Sequence, residues 1–151
     1  MIYKESPSYM SKRPFKILGV EHIGIAVETL DGLSTIFSDI LGLEYIGSEE
    51  VIDQQVKTEI YNTGNSKLEF LKATSSDSSI SRFIDKKGSS MHHIALIVDD
   101  IQVAISYLKS KGIKLIDKVP KIGAEGYQIA FLHPKATGGI LIELCQKNGS
   151  R

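Results

Sequence analysis

Four residues of metal-binding type recur in register along this sequence. His22 opens the run HIGIAV and His93 opens HIALIV, while Glu69 lies in KLEFLK and Glu143 in ILIELC. Each run reads as a mostly apolar β-strand, and side chains alternate faces along a strand. His22 therefore shares a face with Gly24 and Ala26, and His93 with Ala95 and Ile97. Glu69 stands opposite Leu68 and Phe70, and Glu143 opposite Ile142 and Leu144. A carboxylate inside an apolar strand is costly to bury unless a positive partner holds it. A lone strand histidine is most often a hydrogen-bonded structural residue, but a His and a Glu in each half, in matching places, make a pattern. Two imidazoles and two carboxylates suit Co²⁺, Mn²⁺, Ni²⁺, Fe²⁺ or Zn²⁺. In six-coordinate geometry they leave two open positions for a chelating substrate, whose oxygen the ion would polarise.

The elements that must position these residues repeat as well. When His22 is laid on His93, LDGLSTIFSDILGLEYI falls on DIQVAISYLKSKGIKLI. Both read as helix, glycine, strand. Leu33, Ile36, Phe37, Ile40 and Leu41 form one stripe at helical period, and Ile101, Ala104, Ile105 and Leu108 form the other, both expected to face a core. Gly42 and Gly112 follow the last periodic turns, where a helix C-terminus favours glycine. Further strands are expected in LEYIGSEEVI, QVKTEIYNT and SKLEFLKA, with NTGN as a turn, and in IKLIDKVP, YQIAFLHP and GILIELCQ. Each half is thus β-α-β-β-β. The expected fold is α+β, one domain over residues 16–151 made of two modules, about 18–74 and 90–147. Residues 75–89 form a polar linker in which Ile80, Phe83 and Ile84 anchor a short helix. Residues 1–15 are polar, carry two prolines and read as a disordered leader.

Composition narrows the classes. The 151 residues are 42% hydrophobic, with 18 basic and 18 acidic side chains and no block of like charge. That gives no electrostatic support for a nucleic-acid or membrane-surface role. No apolar run approaches a membrane span. A single cysteine, Cys145, rules out an intrachain disulfide and fits a reducing, cytoplasmic setting, or the mitochondrial matrix if the source is eukaryotic. Cys145 itself reads as a small core residue. His92 faces away from His93, and His133 sits at a strand end.

The stretches EHIGIAVETLD, ILGLEYI, DQQVKT, KLEFLKA, DSSISRFIDKKG, MHHIALIVDDI and KIGAEGYQIAFLHPKATGGILIEL resemble the methylmalonyl-CoA epimerases of the vicinal oxygen chelate superfamily, from about Val20 to Gln146. The resemblance implies a curved, cup-like mixed sheet around a metal site, a homodimer, and epimerisation of methylmalonyl-CoA by removal of the proton α to the thioester. His22, His93 and Glu143 fall on the family's ligand positions. Glu69 falls on the fourth, where members carry Gln or Glu, and cobalt is the ion usually associated. Glu143 would also be one acid–base group. Where some members carry a second glutamate this sequence has Thr58, and Glu59 follows. A one-residue bulge could bring Glu59 into the site as the second catalytic group. Lys121, Gly123 and Lys135 surround the strand leading to Glu143 and are candidates for substrate binding.

Alternatives remain open at this level. A glyoxalase-like lyase or isomerase would use the same metal set on a different substrate. A metal-free small-molecule binder on the same scaffold would need no ligands, yet all four positions are filled. A ring-cleaving dioxygenase prefers two His and one Glu and usually a longer chain.

Overall fold

The computed structural model describes residues 13–149. Its centre is an eight-stranded mixed sheet. The strands are β1 (Ile17–Ala26), β2 (Glu44–Val51), β3 (Val56–Asn62), β4 (Lys67–Ala73), β5 (Ser90–Val98), β6 (Lys121–Ile122), β7 (Gln128–Leu132) and β8 (Ile142–Gln146). Their order across the sheet is β2-β3-β4-β1-β5-β8-β7-β6. Each module therefore contributes four consecutive strands, and β1 and β5 meet antiparallel at the seam. Within the modules β1 runs parallel to β4, and β5 runs parallel to β8. The glutamate-bearing strand of each half thus lies beside its histidine-bearing strand. The sheet curls into the cup expected of a vicinal oxygen chelate fold.

The two faces are covered differently. Helix α2 (Ile101–Ser110) packs Ile101, Ala104 and Ile105 onto Val98, Ala130 and Leu144. Leu144 alternates with Glu143, so α2 lies on the face away from the glutamates. Asp100 caps this helix, its carboxylate accepting the Val103 N–H at 3.0 Å. Helix α1 (Ser79–Lys87) lies on the other face, with Ile80 buried against Ala26, Val56 and Leu71. Ser78 caps it by accepting the Ser81 N–H. This is the short helix expected within residues 75–89.

Three expectations need correction. Phe15, assigned to the leader, is a core residue packed edge-on against Tyr107 of α2 at 5.9 Å. Residues 1–12 of that leader lie outside the described residues. The first module's helix is only Thr35–Ile40, wound with the wider i→i+5 hydrogen bond from Leu41 N to Ile36 O. Most of its stripe does not face a core: Ile36, Ile40 and Leu41 are exposed, Leu33 is half-buried, and Phe37 reaches inward to Phe70 and Tyr61. Finally, IKLIDKVP is not a full strand. Lys114 accepts the His133 N–H just past β7 and Ile116 donates to the Phe131 carbonyl, but Asp117 then turns its carboxylate inward to accept the Phe131 N–H at 3.0 Å. A side chain thus takes the place of a ladder carbonyl, and pairing resumes only at β6.

Candidate metal centre and cavity

The seam between β1 and β5 brings the two histidines together. His22 lies opposite Ala95 and His93 lies opposite Gly24. Small residues at both positions leave room for the rings. A Cβ on Gly24 would stand 2.1 Å from the His93 ring, so only glycine permits this close approach. The two Nε2 atoms are 2.9 Å apart. Glu69 Oε2, carried in by β4, is 2.9 Å from His22 Nε2. Glu143, carried in by β8, places one oxygen 3.9 Å from His22 Nε2 and the other 3.3 Å from His93 Nε2. All four side chains are buried. Donor atoms of His22, Glu69 and His93 lie within 4.8 Å of one another, close enough to surround one ion. Three donors of mixed imidazole and carboxylate type, with the Glu143 carboxylate beside both histidines, fit a first-row divalent cation.

These residues form part of the wall of a cavity of about 450 Å³. Val56, Leu71, Phe131 and Leu141 add apolar surface, and Arg82 and Lys121 add positive charge. Helix α1 and its cap contribute Ser78, Ile80 and Arg82 to the same wall. Among the described residues no helix is long and apolar enough to cross a membrane.

Electrostatics separate the two histidines. Burial alone would lower His22, but the hydrogen bond to Glu21, then Glu69 and Glu143, outweigh it and push His22 up to about 10. His93 is held well below the ordinary value by burial and by the neighbouring His22 and His92. Burial pushes Glu143 up to about 8, opposed by His22 and reinforced by Glu69, Glu21 and Asp117. Such displaced carboxyls and imidazoles, gathered in a cleft, mark a functional site.

Not every sequence candidate arrives here. Glu59 is half-buried and accepts the Tyr61 hydroxyl at 2.9 Å. It shares a face with Tyr61, whose ring packs on Phe37 and Phe70, and it does not line the cavity. The β3–β4 ladder runs from Val56 to Asn62 without a register shift, so no bulge turns Glu59 inward. Thr58 lines the cavity instead and donates to the Glu49 carbonyl. Lys135 is exposed on the turn after β7, outside the cavity wall. Gly123 spends its N–H on the Tyr127 carbonyl within its own turn. Lys121 does line the cavity, ion-paired to the buried Asp117. Cys145 is a buried free thiol. His92 lines the cavity and packs on Phe83 of α1, and burial with Lys87 lowers it to about 4.

Sequence reasoning missed Glu21, which strand parity turns away from His22. It is buried, and its carboxylate contacts His22 Nδ1 and Lys67 Nζ. Its adjacency to a candidate ligand was the available signal.

The matching family model, the glyoxalase/bleomycin resistance protein/dioxygenase superfamily, covers residues 21–131. The chain is 38% identical over 133 residues to the mitochondrial methylmalonyl-CoA epimerase of Mus musculus, covering 87% of this chain and 75% of that one. It is 34% identical over 129 residues to the ethylmalonyl-CoA/methylmalonyl-CoA epimerase of Cereibacter sphaeroides, covering 84% and 96%. A solved methylmalonyl-CoA epimerase in complex with methylmalonyl-CoA and NH4+ superposes with a TM-score of 0.83 at 29% identity, covering 90% of this chain and 99% of that one.

Proposed function

We propose, from the premise that this chain belongs to the methylmalonyl-CoA epimerase family of the glyoxalase/bleomycin resistance protein/dioxygenase superfamily, that it interconverts the R and S epimers of methylmalonyl-CoA. The observation that carries this reading is the clustering of His22, Glu69 and His93 donor atoms in the cavity wall, with Glu143 beside both histidines. In this reading those four hold one divalent ion per chain, cobalt first among the candidates. Bound there, the ion would supply Lewis-acid stabilisation of the charge that develops on the thioester oxygen as the α-proton leaves.

The remaining work falls to the chain itself. Epimerisation takes a proton from one face of the α-carbon and returns one to the other. Glu143 serves one face. Burial shifts this carboxyl toward neutral pH, where exchange of a proton in either direction is efficient. Glu69, brought by the other module to the same His22 nitrogen, is the carboxylate for the opposite face. Val56, Leu71, Phe131 and Leu141 lower the local dielectric, which strengthens every charge interaction within the cavity. Lys121 and Arg82 meet the phosphates of the coenzyme A moiety. A homodimer completes the proposal, because Ile17, Leu18, Val20, Ile36, Ile40 and Leu41 expose apolar surface that a second copy would cover.

Deuterium exchange tests the activity. Cobalt-loaded protein given one epimer in D₂O should convert it and label the α-carbon. Glu143→Gln should lower kcat by about 10²–10⁴-fold, the span usual for a lost acid–base group. Absence of both conversion and label in the wild type would remove the reading, and turnover of a glutathione hemithioacetal alone would replace it with a glyoxalase-like one.

A further inference from the structure

A β-bulge lies at Glu21. Val20 pairs with Leu96 and His22 with Ala95, so β1 spends two residues against one on β5, and Glu21 is the extra one. Adjacent strand residues normally face opposite ways, but a bulge re-aims a side chain. Glu21 is therefore buried beside His22 rather than directed away from it. One carboxylate oxygen contacts His22 Nδ1. The other takes Lys67 Nζ at 2.7 Å. Lys67 reaches across the module boundary to Glu125 Oε2, also at 2.7 Å. Glu125 holds a left-handed backbone, φ 54°, rare for a residue with a side chain, and its N–H donates to Glu49 Oε2 at 2.8 Å. Two groups of the first module thus hold a strained residue of the second, and Glu125 and Tyr127 line the cavity.

We propose that Glu21 is a positioning residue for His22, and that Lys67 ties it to the cavity segment around Glu125. By accepting a hydrogen bond from Nδ1–H, the Glu21 carboxylate fixes the neutral tautomer whose Nε2 lone pair faces Glu69, His93 and Glu143. It also fixes the ring plane and raises the basicity of the imidazole. Lys67 neutralises Glu21, so a buried carboxylate persists there without an ion-pairing role for the metal itself. The Lys67–Glu125 link holds the segment at Glu125 in place in the cavity wall. This inference rests on the proposed metal set.

The test is titration of metal-stripped full-length protein with Co²⁺, followed by calorimetry and by the visible absorption of the bound ion. Glu21→Gln should weaken Co²⁺ binding about 10-fold and Glu21→Leu up to about 100-fold, the range for lost outer hydrogen-bond partners. Both should shift the cobalt absorption bands, which a merely structural defect would leave in place. Glu21→Asp should recover part of the affinity. Lys67→Met should weaken Co²⁺ binding less than Glu21→Leu does, because the Glu21 side chain remains, and should raise KM more than it lowers kcat. Native-like binding and spectrum in Glu21→Gln would overturn the proposal, whether or not Glu21→Leu folds. A wild type that takes up no Co²⁺ would remove the metal reading itself as well, so the two failures are told apart.

Discussion

The two modules share an order of elements and contribute one histidine and one glutamate each, yet they are built to different standards of burial. In the second module Asp100 caps α2, and Ile101, Ala104 and Ile105 are sealed onto β7 and β8 with Phe15. In the first, Ser34 makes no side-chain cap, and Thr35–Ile40 is short, widely wound and held mainly by Phe37. The site shows the same inequality. His22 carries a bulge, a carboxylate partner and a raised pKa, while His93 is buried beside its neighbours with its pKa lowered. A repeated sequence pattern thus secures equivalent placement of ligands. It does not secure equivalent packing or electrostatics, because those depend on which residues happen to be opposite.

Substitutions can break or sharpen that contrast. Ile105→Ala in α2 should cost about 2–5 kcal/mol of stability, the cost of a cavity in a closed core. Ile40→Ala, at a position 69% exposed, should cost under about 0.5 kcal/mol in a monomer. Urea unfolding of both variants measures this, and equal losses would erase the asymmetry. At the seam, Gly24→Ala must displace the His93 ring, and a displaced catalytic group costs up to about 100-fold in kcat/KM. Gly47→Ala, with nothing near its added methyl, is the control and should leave kcat/KM within about twofold.

The histidines should also split the pH dependence of the metal-free protein. His22 has its pKa raised from 6.5 to about 10, so its stabilisation is complete below 6.5 and is lost as pH climbs through 10. Glu143 acts in the same sense, because its folded pKa of about 8 exceeds the ordinary 4.5 and the cost of ionising it grows as pH rises between them. His93 is lowered, so its cost appears as pH falls below 6.5. Glu143 and His93 oppose one another between 4.5 and 6.5, so Tm should be nearly level there, fall above 6.5 where His22 and Glu143 act together, and fall below 4.5 where His93 acts alone. His22→Asn should flatten the alkaline limb and His93→Asn the acid limb, read by calorimetry. The smallest effect is expected from Glu59→Gln, which should keep kcat within about twofold, since Glu59 lies outside the cavity wall.

Much of the plan could be read from residue order alone. Strand parity and the repeat located His22, Glu69, His93 and Glu143, because a period of two and an apolar background leave a buried polar residue conspicuous. The linker helix and the capped α2 were legible for the same reason: their periodicity and capping residues lie within a few positions of one another. Distances across the sheet were not legible. That Glu21 turns inward, that Glu59 does not, that Asp117 replaces a ladder carbonyl and that Ile36 and Ile40 stay exposed all follow from pairing between strands remote in the chain. A bulge shifts parity by one residue, and whether a strand carries one depends on its partner's register. Local composition can name the side chains able to bind an ion, but only long-range pairing decides which of them face it.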